Sequence, residues 1–154
     1  MKRAFIDTDY LVEELYHMNQ KEHLSCYEIY KELGPADFRF LEYEVIQSLQ
    51  DLQRSVIAVG GGSMLIYENV EALKKKSHLF YLFYEKELLK QRLFTQHPYP
   101  AFLDPNNPDS SFDHMFNERD EVYRKLGAEI IDITQMKRGE IVTQICKFAK
   151  IHGK

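Results

Sequence analysis

Short apolar runs alternate along the chain with segments in which apolar residues recur every three or four positions. The runs are typical of buried strands, and the spaced apolar residues are typical of amphipathic helices. The predicted strands are residues 4–6, 55–59, 78–84 and 129–133. The predicted helices follow residue 9 and lie at 26–33, 38–52, 69–76, 86–94, 112–126 and 141–149. Strands that alternate with helices indicate parallel strands joined by helical crossovers, and therefore an α/β fold.

Length and composition indicate one domain with an ordinary core. The 154 residues are 44% hydrophobic and carry a net charge of −4, which argues against a nucleic-acid or anionic-membrane partner. No apolar run approaches the roughly 20 residues of a membrane span. Cys26 and Cys146 lack the spacing of a zinc site, so we expect both thiols to be buried and reduced. The sequence therefore predicts a cytoplasmic protein, which we expect to be a monomer.

Two carboxylates follow the first predicted strand, in the sequence FIDTD. Because side chains two apart in a strand point to the same side, we expect Asp7 and Asp9 to face one crevice beyond the sheet edge. Paired carboxylates suit Mg²⁺, which binds oxygen ligands and keeps several waters. One of them could also accept a proton from a substrate hydroxyl. The alternative is that Asp9 only caps a helix that begins at Tyr10.

Two predicted helices carry arginines that could bind a carboxylate. In FRFLE, Arg39 and Glu42 are three residues apart, which fits a surface ion pair or an arginine fork that the glutamate holds in place. Arg119, in NERDEVYRKLG, begins a basic cluster with Arg124 and Lys125. For that cluster the alternative is a solvated helix face.

Three consecutive glycines, Gly60, Gly61 and Gly62, follow the buried strand of VIAVGGGSM. Glycines cost backbone entropy and contribute no packing. They are expected where a ligand approaches the main chain closely, and the alternative is a simple glycine-rich turn.

Residues 96–111 form a long predicted loop that contains four of the five prolines. Loops longer than roughly 12 to 15 residues in a compact domain tend to be functional lids or disordered. Phe102 and Leu103 lie inside this loop and favour a lid that closes over a ligand. The alternative is a floppy surface loop.

Taken in order, these segments resemble the shikimate kinases, in the nucleoside monophosphate kinase-like group of P-loop folds. The resemblance rests on FIDTD, FRFLE, VGGGS, a helix that carries Arg92, PAFLDP and ERDEVYRKLG, and it runs from Phe5 to the C-terminus. It implies a single domain over residues 1–154, with a parallel sheet between flanking helices in three layers and a lid at 96–111.

The resemblance also implies roles for individual residues. The implied substrate-binding positions are Asp9, Arg39, Gly60, Gly61, Gly62 and Arg119. Asp9 would bind the shikimate hydroxyls and help to orient or deprotonate the attacking one, while Arg39 and Arg119 would grip the shikimate carboxylate. ATP and Mg²⁺ are the implied cofactors. Asp7 would hold Mg²⁺ through water, and Arg92 would lie over the adenine ring.

The chain departs from the family pattern at three points. The family begins with a strand that lies in the middle of the sheet, a GxxxxGK[ST] loop and a helix, and no GxxxxGK[ST] match occurs in these 154 residues. That loop holds nucleotide phosphates, so we expect the first strand and phosphate loop to be missing and the 154 residues alone to have little or no kinase activity. Tyr99 replaces the expected lid arginine, and Arg138 replaces a proline expected near the adenine.

The implied function is ATP-dependent phosphorylation of the 3-hydroxyl of shikimate, in chorismate and aromatic amino-acid biosynthesis. Two alternatives remain open from the sequence. One is an inactive relic or shikimate-binding module, and the other is a kinase of another small hydroxylated metabolite such as gluconate. The carboxylate-binding arginines and the three glycines favour shikimate over gluconate.

Overall fold

The computed structural model of the protein describes residues 3–96 and 98–151. The chain divides into two compact units, residues 1–76 and 77–154. His97, in the predicted lid, lies outside the described residues. The prediction of a single domain stays a prediction.

Two parallel strands and three α-helices build the first unit. Its elements are β1 (Ala4–Asp7), α1 (Thr8–Gln20), α2 (Cys26–Ser48), β2 (Ser55–Ala58), a 3₁₀ turn (Ser63–Leu65) and α3 (Tyr67–Lys74). β1 and β2 pair in register, with Phe5 opposite Val56 and Ile6 opposite Ile57. Residues that lie opposite each other in such a pair project to the same face of the sheet.

The two faces of this strand pair differ in burial. Ile6 and Ile57 pack against a core that α1 and α2 supply. Phe5 and Val56 lie on the other face and are 70% and 45% exposed. The core residues are Val12, Tyr16, Ile29, Phe38, Leu41, Val45 and Leu49. A two-stranded sheet has little stability of its own, so the helices on its inner face hold these strands in place.

The sequence predicts two helices separated by Gly34 and Pro35, and the structure joins them as α2 with a kink. Ser25 caps the helix, and Ser25 and Glu28 form a capping box. Gly34 has φ 79° and ψ 174° inside the helix, a conformation that is essentially restricted to glycine. The kink therefore lies where the sequence predicts the break.

The second unit contains the other parallel strand pair and three helices. Its elements are β3 (Phe80–Phe83), α4 (Lys86–Phe94), α5 (Pro108–Lys125), β4 (Glu129–Asp132) and α6 (Arg138–Ile151). α5 begins four residues before the predicted start at Phe112 because Pro108 fits the first position of a helix, where no N–H is needed. Residues 108–111 of the predicted lid are therefore helical.

α5 is fixed to β3 by a polar contact and by aromatic packing. The Tyr81 hydroxyl donates to Asp120 Oδ1 at 3.0 Å, and the ring of Tyr81 lies edge-on to Tyr123 with centroids 5.0 Å apart. Phe112, at the start of α5, is fully buried. These contacts hold the helix that carries Arg119.

The predicted α/β class is confirmed, since both strand pairs are parallel and are flanked by helices. Within the described residues, each sheet has only two strands. No helix in the described part of the chain is long and apolar enough to cross a membrane.

Two glycines allow a controlled test of the kink. An added Cβ would meet no atom within 4 Å at Gly34 or at Gly139 in α6, and only Gly34 has a positive φ. We expect Gly34→Ala to lower the free energy of unfolding by about 2 kcal/mol, because alanine is strained in that conformation. Gly139→Ala should leave it unchanged or raise it slightly. Urea unfolding of both variants measures this, and equal losses would contradict the assigned role of Gly34.

Candidate active site

The start of α1 and the loop after β2 are joined by a hydrogen bond. The side chain of Thr8 is almost fully buried, and its Oγ1 accepts from the backbone N–H of Gly60 at 3.1 Å. Residues 60–62 are named the glycine loop here. The bond holds this loop beside the FIDTD segment, as the parallel register of β1 and β2 requires.

Asp7 and Asp9 meet through a helix cap. Asp7 is the N-cap of α1, and its Oδ1 accepts from the backbone N–H of Asp9 at 3.0 Å. α1 begins at Thr8, so the alternative in which Asp9 caps a helix from Tyr10 is wrong. The alternation of side chains along a strand does not explain why Asp7 and Asp9 lie close together, because Asp9 lies in the first turn of the helix. A capping turn brings the two residues together instead.

The Asp9 carboxylate lies among other negative groups. Loss of solvation is the largest effect that raises its pKa above the ordinary 3.8, and the charges of Asp7, Glu42 and Glu13 add to it. Arg39 acts in the opposite direction. A carboxylate whose pKa is raised toward neutral pH is a better proton acceptor than an ordinary aspartate.

Arg39 and Glu42 are not a surface ion pair. The Glu42 side chain is only 3% exposed, and Arg39 Nη1 donates to its Oε2. The hydroxyl of Ser63 donates to the other carboxylate oxygen, Oε1, at 2.6 Å. Both oxygens of a buried carboxylate are thus occupied, and Glu42 holds the guanidinium in place. That Arg39 binds the carboxylate of a ligand stays a prediction.

The glycine loop lies directly against these charged groups. A Cβ at Gly60 would come within 2.8 Å of Asp9 Oδ1 and 2.9 Å of Glu42 Oε1. A Cβ at Gly62 would overlap the Arg39 guanidinium. The absence of side chains here therefore permits close approach of charged groups to the main chain, which a simple turn would not require.

Sequence reasoning missed three buried polar residues of this site. Thr8, Ser63 and Asn69 are each at most 1% exposed. Asn69 Nδ2 donates to the backbone oxygen of Ser63 at 3.0 Å, and so ties α3 to the end of the glycine loop. Thr8 lies within FIDTD and Ser63 directly follows the three glycines, so their place beside a motif was a signal in the sequence. Asn69 lies beside no motif.

The two thiols differ from each other in the structure. Both are free. The Cys26 thiol donates to the backbone oxygen of Asp9 at 3.3 Å, and burial followed by the nearby carboxylates raises its pKa to about 12. A thiol with this pKa is a poor nucleophile near neutral pH. Cys26 is only partly buried and Cys146 is exposed, so the prediction that both thiols are buried is wrong.

The remaining predicted residues lie in the second unit. Arg92 is exposed in the last turn of α4. The guanidinium of Arg119 lies over the ring of Phe102, 4.8 Å from its centroid, so Arg119 is not on a fully solvated helix face. Tyr99, the residue in place of the expected lid arginine, packs its ring against Phe94.

The described residues contain no group of three or more histidine, cysteine, aspartate or glutamate side chains that could hold a metal ion. Mg²⁺ often binds proteins through one or two carboxylates and keeps several waters. The exposed carboxylate of Asp7 fits that kind of water-mediated binding and does not fit a closed protein cage.

The sequence is similar to known shikimate kinases. The sequence model of the family described as shikimate kinase matches residues 1–150. A shikimate kinase of Syntrophus aciditrophicus (strain SB) is 31% identical over 158 residues, which cover 96% of this chain and 78% of that protein. One of Clostridium botulinum (strain ATCC 19397 / Type A) is 33% identical over 153 residues, which cover 99% of this chain and 85% of that protein.

Solved structures agree with the sequence comparison. Shikimate kinase from Acinetobacter baumannii, solved in complex with shikimate, matches with a TM-score of 0.79 and 26% identity, over 95% of this chain and 78% of that one. Shikimate kinase from Aquifex aeolicus matches with a TM-score of 0.71 and 25% identity, over 98% of this chain and 82% of that one.

The raised pKa of Asp9 predicts how its replacement changes stability with pH. The folded protein binds the Asp9 proton more tightly than the unfolded chain does. The resulting stabilisation is fully present below pH 3.8 and is lost as pH rises through the pKa of the folded state. Asp9→Asn, which never ionises, should therefore be more stable than the parent at pH 7 and no more stable near pH 3.

Urea unfolding at several pH values measures this difference. Asp37→Asn, at an exposed position of α2, controls for the change in net charge. A parent protein that is more stable than Asp9→Asn at pH 7 would contradict the electrostatic description of the site.

Proposed function

The chain belongs to the shikimate kinase family, and on that basis we propose that it transfers the γ-phosphoryl group of ATP to the 3-hydroxyl of shikimate. The observation that carries the proposal is the Arg39 guanidinium, which buried Glu42 holds against Gly62 beside Asp9. This arrangement supplies a cation for a carboxylate and a proton acceptor for a hydroxyl in one unit.

Asp9 is the proposed catalytic residue. It would accept a hydrogen bond from the attacking hydroxyl, orient its oxygen, and take up the proton as the phosphoryl group transfers. Its raised pKa suits this role, because loss of solvation and then the negative charges around it strengthen its hold on a proton. Phosphoryl transfer depends mainly on positioning and charge stabilisation, so holding the hydroxyl in line with the phosphate is the larger contribution.

Arg39 is the proposed anchor for the shikimate carboxylate. A guanidinium has five N–H donors in a fixed fork, and the bond to Glu42 is made from Nη1. In the proposal, other donors of the fork bind the carboxylate of the substrate. The family resemblance adds Arg119 to the same role, and backbone groups of Gly60, Gly61 and Gly62 as contacts to the substrate ring.

For the nucleotide, residues are proposed that would hold its metal ion and its adenine ring. Asp7 would hold Mg²⁺ through water, and the ion would neutralise charge on the phosphates. Arg92 would lie over the adenine, to which its exposed position on α4 gives access. We expect the reaction to take place in the cytoplasm, with a monomeric enzyme.

We also propose that residues 96–111 act as a lid. Lys90 of α4 forms an ion pair with Asp109 in the first turn of α5, at 2.8 Å, so the two ends of the segment are tied together. Leu103 is buried, whereas Phe102 beside it is about one third exposed. Closure would therefore move the tip of the segment while its ends stay fixed.

Replacement of Arg39 tests the carboxylate anchor. We expect Arg39→Gln to weaken shikimate binding about 100-fold, because a charge-assisted pair with a carboxylate is lost. Glutamine keeps a donor for buried Glu42 and so limits the damage to the fold. Isothermal titration calorimetry with shikimate measures the dissociation constant.

Two further variants separate anchoring from a general loss of charge. Arg54→Ala removes an exposed arginine of the same unit and should leave binding unchanged. Gly62→Ala keeps the guanidinium but displaces it, so it should also weaken binding. Unchanged affinity in Arg39→Gln would contradict the anchor. Shikimate-dependent release of ADP supports transfer, and its absence despite intact binding would favour the binding-module alternative.

Hydrogen exchange tests the lid. We expect the amides of residues 98–107 to exchange faster than those of α4 and α5 in the unliganded protein, because closure needs a mobile tip. Addition of shikimate and nucleotide should slow their exchange, while the amides of α5 serve as the internal reference. Slow exchange throughout the segment without ligand would argue against a lid.

A further inference from the structure

Ser63 is a buried polar residue to which the proposed chemistry assigns no role. Its side chain is fully buried at the start of the 3₁₀ turn. Its hydroxyl donates to Glu42 Oε1 at 2.6 Å, and its backbone oxygen accepts from Asn69 Nδ2 at 3.0 Å. Its backbone N–H donates to the Gly60 oxygen at 3.0 Å. Ser63 is thus fixed on both sides, and its hydroxyl is aimed at one oxygen of a carboxylate.

This bond determines the orientation of the Glu42 carboxylate. Glu42 Oε1 accepts from Ser63, and Oε2 accepts from Arg39 Nη1. The plane of a carboxylate is fixed once both oxygens have a partner. Without the hydroxyl, Oε1 would be buried with one hydrogen-bond donor fewer. Rotation of the carboxylate toward another donor would then lower its free energy. Such a rotation would move Oε2 and the guanidinium that it holds.

We propose that Ser63 is a positioning residue for recognition of the substrate's carboxylate, acting through Glu42 on Arg39. The inference rests on the proposed function, because it presumes that Arg39 binds this carboxylate. Asn69 contributes by fixing the backbone of Ser63, so that the direction of the hydroxyl is set before a ligand arrives. Preorganisation of this kind lowers the cost of ordering the site on binding.

A purely structural role of Ser63 makes a different prediction. If the hydroxyl only stabilised the glycine loop, its loss would weaken every ligand that touches the loop, whatever the ligand's charge. If it acts through Arg39, its loss weakens only ligands that carry the carboxylate. The two roles are therefore distinguished by a neutral analogue of shikimate in which a hydroxymethyl group replaces the carboxylate.

The experiment is calorimetric titration of the full chain and its variants with both ligands. We expect Ser63→Ala to bind shikimate about tenfold more weakly, with affinity for the neutral analogue changed by less than about twofold. Ser48→Ala is the matched control, since the Ser48 hydroxyl donates only to the backbone oxygen of Val45 within its own helix. It should bind both ligands as the parent does.

A double-mutant cycle with Arg39→Gln completes the test. In the Arg39→Gln background, Ser63→Ala should cause no further loss of shikimate affinity, because the residue through which it acts has gone. An equal tenfold loss in both backgrounds, or an equal loss for both ligands, would overturn the proposal. So would unchanged shikimate affinity in Ser63→Ala. A parent protein that binds no shikimate would instead overturn the proposed function itself.

Discussion

The candidate site depends on the burial of one negative charge, the carboxylate of Glu42. A buried carboxylate is tolerated only if it is neutralised and its oxygens accept hydrogen bonds. Arg39, in α2, supplies the cation, and Ser63, in the 3₁₀ turn directly after the glycine loop, supplies a hydroxyl. The requirement therefore joins two segments that are distant in sequence. It also explains why the loop lacks side chains, because a Cβ at Gly60 or Gly62 would occupy the space of these charged groups.

Local periodicity predicted most of the first unit's elements but not how they are held together. Ile6 and Ile57 pack on the core as an alternating pattern requires, and the kink at Gly34 lies at the predicted break. The predicted start of α1 came too late because Asp7 was interpreted only as a ligand of a metal or substrate, although an aspartate at the end of a strand is also a good helix cap. In the second unit, the predicted start of α5 came too late because Pro108 was interpreted as a loop residue.

The site itself divides into residues with a local signature and residues without one. Arg39 with Glu42, and the three glycines, are recognisable within a few positions of sequence. Ser63 reaches Glu42 across 21 positions, and Thr8 reaches Gly60 across 52. Hydrogen bonds over such separations follow from the strand register, which a single sequence does not specify. A small polar residue next to a motif is also ambiguous, because serine, threonine and asparagine equally start helices and form turns.

The charges of the first unit constrain how an anionic substrate can bind there. Loss of solvation and the charges of Asp7, Glu42 and Glu13 raise the pKa of Asp9, whereas the charge of Arg39 lowers it. Arg39 is already paired with Glu42. A substrate carboxylate that binds Arg39 therefore shares its positive charge with Glu42 and weakens its effect on Asp9. An anionic substrate at this unit would therefore bind more tightly if further positive charge were present. Together with loss of solvation, these negative charges strengthen Asp9 as a proton acceptor. The charges that oppose anion binding therefore also favour deprotonation of a hydroxyl.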